Sequence, residues 1–290
     1  MTDVPKSWNI GLILNWTRQY FSEKGVENPR LDAEVLLSHI LGRDRLYLYT
    51  HFDQPLTASE LAAYREMVKK RAKRAPVAYI TGRKEFMGLE FAVSPAVLIP
   101  RPDTEILVEA VLSRLQKLTK PEIADLGTGS GAIIVSLLAV IPSACGVAVD
   151  LSPEALAVAG ENARRHQVEE RLTLCCGDLI SPLTGRKFDA LISNPPYIPT
   201  AAIAGLSPEV RQEPRVALDG GEDGLIFYRC IVAKGAQYLK PGGFIAVEVG
   251  MGQARPVAAL AAAETRLTVA EVIKDYSGIE RVVVFQGVVS

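Results

Sequence analysis

The sequence predicts an α/β fold: a mostly parallel sheet with helices on both faces and a terminal antiparallel hairpin, preceded by a small all-α domain. Three observations predict it. Strand and helix patterns alternate after Thr104. A glycine-rich turn, Gly127 to Gly131, lies between one such strand and the next helix. Residues 1 to about 80 show helical spacing and no strand alternation.

In the N-terminal part, apolar residues recur at helical spacing in Trp8–Phe21 and Leu31–Leu41. Thr57 and Glu60 form a capping box, with Leu56 and Leu61 as its staple, and Leu61, Tyr64, Val68 and Ala72 line one face of the helix that follows. Phe86–Phe91 reads as two short strands around Gly88, and Pro95, Pro100 and Pro102 punctuate a connector. Strands are expected at Glu122–Leu126, Cys145–Asp150, Leu172–Cys176, Phe188–Ser193, Gly243–Val249, Thr268–Lys274 and Arg281–Gln286. Helices are expected at Glu105–Leu118, Ala132–Val140, Pro153–His166, Leu225–Leu239 and Gln253–Ala263. No helix separates the last two strands, so they pair as a hairpin. The expected division is a helical bundle at 1–80, a β-hairpin and proline-rich linker at 81–103, and the sheet domain at 104–290.

The chain has 290 residues, 48% hydrophobic and 22% charged, enough apolar material for about two folded domains. A net charge of -1 argues against a protein that coats nucleic acid. Cys145, Cys175, Cys176 and Cys230 form no C-x-x-C pair, and with only His39, His51 and His166 they fit neither a zinc site nor a disulfide framework. Free cysteines and no apolar export segment at the start suit a cytoplasmic protein. The longest apolar stretch, Ala132–Ile141, is too short to span a bilayer. Arg65, Lys69, Lys70, Arg71, Lys73, Arg74, Arg83 and Lys84 form a basic stretch. It reads either as the solvated face and C-terminal end of a helix or as a docking patch for an acidic or nucleic-acid-bearing partner.

Two segments carry chemistry. Gly127-Thr128-Gly129-Ser130-Gly131 lets the chain turn tightly and lets backbone N–H groups approach a ligand. Asp150 follows at the end of the next strand, placed to accept hydrogen bonds from two ribose hydroxyls. An adenosine-containing cofactor is therefore expected. Asn194-Pro195-Pro196-Tyr197 follows the fourth strand of the sheet at its carboxyl edge. Asn194 and the Pro195 carbonyl can accept the two hydrogens of a planar –NH2 group, and Tyr197 can cover its face.

The terminal hairpin resembles the Rossmann-like class I S-adenosylmethionine-dependent methyltransferases rather than dehydrogenases. That resemblance sets Gly127, Gly129 and Gly131 beside the methionine moiety and Asp150 on the ribose. It sets Asp178 and Leu179 beside the adenine, Leu179 standing where an aromatic residue is frequent. Asn194-Pro195-Pro196-Tyr197 is shared by adenine-N6, cytosine-N4 and protein-glutamine methyltransferases. Four further segments narrow the choice: Pro100–Glu105, Gln212–Gly221, Glu248–Gln253 and Lys274–Arg281. In this order they resemble the peptide chain release factor N5-glutamine methyltransferases, the HemK-type family, over nearly the whole chain.

The resemblance implies transfer of methyl from S-adenosylmethionine, leaving S-adenosylhomocysteine, to the glutamine of the Gly-Gly-Gln loop of bacterial class 1 release factors 1 and 2. It implies no metal, no stable nucleic-acid binding and no membrane. It assigns Asn194, Pro195, Pro196 and Tyr197 to catalysis and to the glutamine. It assigns Gly127, Thr128, Gly129, Ser130, Gly131, Asp150, Asp178, Leu179 and Asn194 to the cofactor, and release-factor docking partly to the helical domain. Adenine-N6 methylation of nucleic acid, which would need a base-flipping pocket, and a non-enzymatic cofactor-binding module are the alternatives.

Overall fold

The structure, a computed structural model, describes residues 8–288. The chain divides into two units: one runs up to Gly82 and includes Ser207–Gln212, and the other comprises Arg83–Leu206 and the residues from Glu213 onward.

The first unit is helical. α1 (Ile10–Glu23) starts at Asn9, whose side chain accepts from the Leu12 N–H at 2.8 Å. α2 (Pro29–Leu41) opens on proline and ends at Gly42 in the left-handed region. α3 (Arg45–Thr50) is capped by Asp44 and is too short to show a sequence period. α4 (Ala58–Ala72) carries the expected Thr57–Glu60 capping box, and α5 (Val77–Thr81) follows Pro76. Ile10, Phe21, Leu36, Leu37, Leu48 and Tyr64 form the core, and the buried Tyr64 hydroxyl donates to the Ala33 carbonyl at 3.1 Å.

The basic stretch is not all solvated surface. Arg71 is only 5% exposed; its guanidinium pairs with Asp32 at 2.7 Å and with Glu209 at 2.8 Å. Arg74 grips the same Glu209 through both carboxylate oxygens. Lys69, Lys70 and Lys73 stay exposed.

In the second unit β1 (Arg83–Phe86) and β2 (Leu89–Ala92) pair around Met87-Gly88, both at positive φ as a tight hairpin requires. Then come α6 (Asp103–Leu115), β3 (Glu122–Leu126), α7 (Ala132–Val140), β4 (Cys145–Asp150), α8 (Pro153–Arg165), β5 (Leu172–Cys176) and β6 (Phe188–Ser193). α9 (Ile226–Gly235), β7 (Leu239–Glu248), α10 (Ala254–Ala259), β8 (Leu267–Lys274) and β9 (Glu280–Gly287) complete it. The sheet order is β5-β4-β3-β6-β7-β9-β8. The first five run parallel and β9 is antiparallel to both its neighbours.

Period two sorts the strand residues between the faces. Ile123, Ala190, Ile192, Phe244, Ala246, Val282 and Val284 pack with α6 and α7. Ala124, Leu191, Ile245, Val247, Val283 and Phe285 pack with α9 and α10. Several expected boundaries move: α6 starts two residues earlier and stops three earlier, and α10 gives way to a 3-10 turn after Ala259. The ninth helix stops at Gly235 and a 3-10 turn follows. β7 starts at Leu239 rather than Gly243, its register against β6 slipping between Phe188 and Ala190.

The Arg71 cluster yields a stability prediction. Arg71→Ala strands Asp32, leaves Glu209 to Arg74 alone, and should lower unfolding free energy by about 3 kcal/mol, read from the urea midpoint. Burial alone would raise the Glu209 carboxyl from its ordinary 4.5, but hydrogen bonds from Arg74 and Arg71 outweigh it and hold it at about 2. Glu209's contribution is therefore complete above its ordinary value. It should drain away as pH falls toward 2.

Candidate active site

Two strand ends build one side of the site. The Gly127 and Thr128 N–H groups both donate to the Val149 carbonyl, at 2.8 and 2.9 Å, which folds the loop after β3 back over β4. Gly127 and Gly129 lie at positive φ, where side-chain-bearing residues are strained. Asp150 then clasps the loop. Its Oδ2 accepts from Gly129 N–H at 2.8 Å and its Oδ1 from Ser152 N–H at 2.9 Å. Each oxygen keeps a second lone pair, so the carboxylate can still accept from two hydroxyls. Beneath the loop, Thr128 donates to the fully buried Asp125 at 2.7 Å. Burial pushes the Asp125 carboxyl up to about 7, the Thr128 hydrogen bond opposing it.

The other side is built on β6. Ser193 anchors the strand end by donating to the Leu126 carbonyl at 2.7 Å. Asn194 follows, its Nδ2 donating to Thr104 Oγ1 at 3.1 Å. Gln253 holds the next turn. Its Nε2 donates to the Tyr197 carbonyl at 2.9 Å while its Oε1 accepts from Gly250 N–H at 3.0 Å. Ile198 exchanges backbone hydrogen bonds with the 218–220 segment, at 3.0 and 2.8 Å. A Cβ on Gly220 would sit 2.8 Å from both the Pro196 carbonyl and Tyr197 Cα, and one on Gly224 2.3 Å from the Tyr197 carbonyl. Only glycine allows these backbones to approach so closely.

One cavity of about 680 Å³ joins the two sides. Gly127, Thr128, Gly129, Ser130, Asp150, Asp178, Leu179, Asn194 and Pro196 line it. The remaining expected site residues do not. Gly131 caps α7 at positive φ, where a Cβ would sit tightly, 3.1 Å from that of Ala159. Pro195 is buried. Tyr197 packs on the core that holds Tyr228 and Val247, and burial, reinforced by the Glu248 charge, pushes its phenol up to about 12.

Sequence reasoning named no role for Thr104, Arg101, Glu213, Gln253 or Arg281, although all lie in segments it singled out. Glu213, 5% exposed, binds Arg101 and accepts from Ile99 N–H at 3.0 Å, pinning the proline-rich connector over the cavity. Arg281 ties the last hairpin to α6 through Asp103 at 2.7 Å and to Asp275 at 2.9 Å. Among the described residues no group of three or more His, Cys, Asp or Glu side chains is placed to hold a metal ion, and no helix is long and apolar enough to cross a membrane.

Comparison with known proteins places this geometry. A family model described as the PrmC N-terminal domain matches residues 13–82, and one described as the methyltransferase small domain matches 103–206. The release factor glutamine methyltransferase of Geobacter sulfurreducens is 51% identical over 284 residues, 98% of each chain. The chain belongs to the release factor glutamine methyltransferase family. The Moorella thermoacetica enzyme of this family is 49% identical, over 89% of this chain and 91% of its own. Among solved structures, the hMettl16 catalytic domain bound to MAT2A 3'UTR hairpin 1 aligns with a TM-score of 0.56 at 14% identity. It covers 82% of this chain and 86% of its own. A methyltransferase from Pyrococcus furiosus aligns at 0.51 and 18% identity, over 80% of this chain and 100% of its own. At such identities they share the class I methyltransferase fold with the family and nothing further.

The tight Gly220 contact gives a prediction. Gly220→Ala pushes a methyl group against backbone that cannot swing aside, so stability should fall by about 1–3 kcal/mol in chemical denaturation. Methyl-transfer rate should fall with it, because Pro196 must move.

Proposed function

We propose that this chain transfers a methyl group from S-adenosylmethionine to the side-chain amide nitrogen (N5) of the glutamine in the Gly-Gly-Gln motif of bacterial class 1 release factors, factors 1 and 2 included. The observation that carries the reading is one cavity lined at one end by Asp150 and the Gly127–Ser130 loop and at the other by Asn194 and Pro196. It fits a nucleoside and a planar amide side by side.

Asp150 accepts from the ribose hydroxyls with its two remaining lone pairs, and Leu179 packs beside the adenine. S-adenosylmethionine supplies the electrophilic methyl. Asn194 Oδ1, from the cavity wall, and the backbone carbonyl of Pro195, whose ring is buried outside the lining, accept the two amide hydrogens and turn the nitrogen lone pair toward that methyl. An amide nitrogen is a poor nucleophile because its lone pair is delocalised. The N–CH3 bond forms as the S–CH3 bond breaks, releasing S-adenosylhomocysteine. Two fixed acceptors stabilise the positive charge that grows on the nitrogen until one of its protons is lost to solvent. The helical unit offers exposed Lys69, Lys70 and Lys73 to an acidic face of the partner. The reaction belongs in the cytoplasm, where a reducing environment suits four free cysteines.

The test is transfer of labelled methyl to intact release factor, to the same factor with its Gly-Gly-Gln glutamine replaced, and to DNA. Label should appear on the intact factor alone; label on DNA would overturn the reading in favour of base methylation. Asp150→Ala should weaken S-adenosylmethionine and S-adenosylhomocysteine equally, by about 2–3 kcal/mol in calorimetry, since both carry the same ribose. Asn194→Ala should cost about a hundredfold in kcat with little change in cofactor affinity.

A further inference from the structure

Glu248, the last residue of β7, is 1% exposed, and one of its carboxylate oxygens has no hydrogen-bond partner. A carboxylate so buried, next to the site and outside the roles given above, needs a reason. Its neighbours supply one. The side chains of Thr104, in the first turn of α6, and of Asn194, just beyond β6, lie against it and favour its charged form. Asn194 Nδ2 also donates to Thr104 Oγ1. Three separate elements thus bring a carboxylate, a hydroxyl and a carboxamide together.

The orientation of these groups follows from donor and acceptor chemistry. A carboxylate only accepts. The Asn194 NH2, which donates to Thr104 Oγ1, is therefore the end suited to face Glu248, and the Thr104 hydroxyl, accepting from Asn194, keeps its own hydrogen free for the carboxylate. A half-turn about the terminal Asn194 bond would change its shape little but would exchange donor for acceptor. The cavity would then present NH2 to a substrate NH2, donor against donor.

We propose that Glu248, together with Thr104, is a positioning residue that keeps the Asn194 carboxamide turned with its oxygen toward the substrate amide. This rests on the reading of Asn194 as acceptor for the glutamine NH2. A protonated Glu248 can donate, so it loses the ability to dictate which way Asn194 faces. Loss of its charge should therefore lower the rate. Burial pushes this carboxyl up to about 7; the Thr104 and Asn194 side chains and Arg281 on β9 favour its charged form, and Asp103 on α6 opposes it. Tyr197 and Tyr228 on α9 face it as neutral phenols, and Asp275 offsets part of the Arg281 charge.

The experiment uses the full-length protein, with kcat and KM for release factor, calorimetric affinity for S-adenosylhomocysteine, and the pH profile of kcat. Glu248→Gln and Thr104→Val should each lower kcat about tenfold or more, with KM and cofactor affinity within about twofold. Thr104→Ser, which keeps the hydroxyl, should recover most of the rate lost in Thr104→Val. The wild-type rate should fall as pH drops through the neutral range, and that limb should vanish in Glu248→Gln. A Glu248→Gln protein with the wild-type rate and acid limb, beside an Asn194→Ala protein crippled in kcat, would overturn the positioning role and leave the site reading intact. Equal loss of cofactor binding and rate in Glu248→Gln would also overturn it, by making Glu248 structural. Full activity of Asn194→Ala would overturn the site reading itself, and the positioning role with it.

Discussion

The clasp of Asp150 on Gly129 and Ser152 is the interaction on which the glycine-loop end of the cavity depends. Parallel pairing of β3 with β4, Leu126 opposite Val149, brings the ends of both strands to one edge. The Val149 carbonyl then takes two N–H groups from the glycine loop, and Asp150 takes a third. With its other oxygen Asp150 fixes Ser152, whose hydroxyl caps α8 by accepting from Ala155 N–H at 3.1 Å. One carboxylate therefore sets the loop, the helix start and its own orientation before any ligand arrives. Such preorganisation leaves little to be ordered on binding.

The Asn194–Pro196 side of the cavity is held differently, by contact between backbones. Gly220 and Gly224 lie so near Pro196 and Tyr197 that the turn cannot relax outward, and Gln253 fastens the Tyr197 carbonyl from the other direction. Consecutive prolines supply stiffness without needing donors. The Asn194 side chain, by contrast, is held by a hydrogen bond to Thr104.

Much of this was legible in the sequence, and the limits have physical causes. β3, β4 and β6 fall on the apolar runs because a strand buried on both faces must be apolar nearly throughout, whereas β5, at the sheet edge and largely exposed, is marked only by its place in the strand–helix alternation. The capping box at Thr57 and the glycine loop are local devices, written in neighbouring residues. Arg71 was not legible as a buried group: its partners Asp32 and Glu209 are distant in sequence, and nothing at Arg71 distinguishes it from exposed Lys70 beside it. Tyr197 was expected over the substrate amide; its partly buried ring packs against the core and is not in the cavity lining, a direction that a motif, giving residue types alone, does not specify. Thr104, Glu213 and Glu248 likewise stood inside segments that looked meaningful. Their partners come from other strands and helices, so only the folded chain reveals them.

The two buried carboxylates of the second unit bear on why such groups are kept. Asp125 and Glu248 both have carboxyls raised to about 7, in each case first by burial. A raised carboxyl favours folding fully at pH below its ordinary value, and that contribution is lost as pH rises through the folded value. Above neutrality both groups are ionised, poorly solvated and a burden on stability. An apolar core would be more stable there. Each also leaves one oxygen without a partner, a further cost that packing does not recover. Stability therefore cannot be what holds them in place. Asp125 lies under the glycine loop with its other oxygen on Thr128, and Glu248 lies behind Asn194 with Thr104 between strand and helix. Both stand one residue back from the cavity, where a charge that can only accept fixes the direction of every donor in front of it.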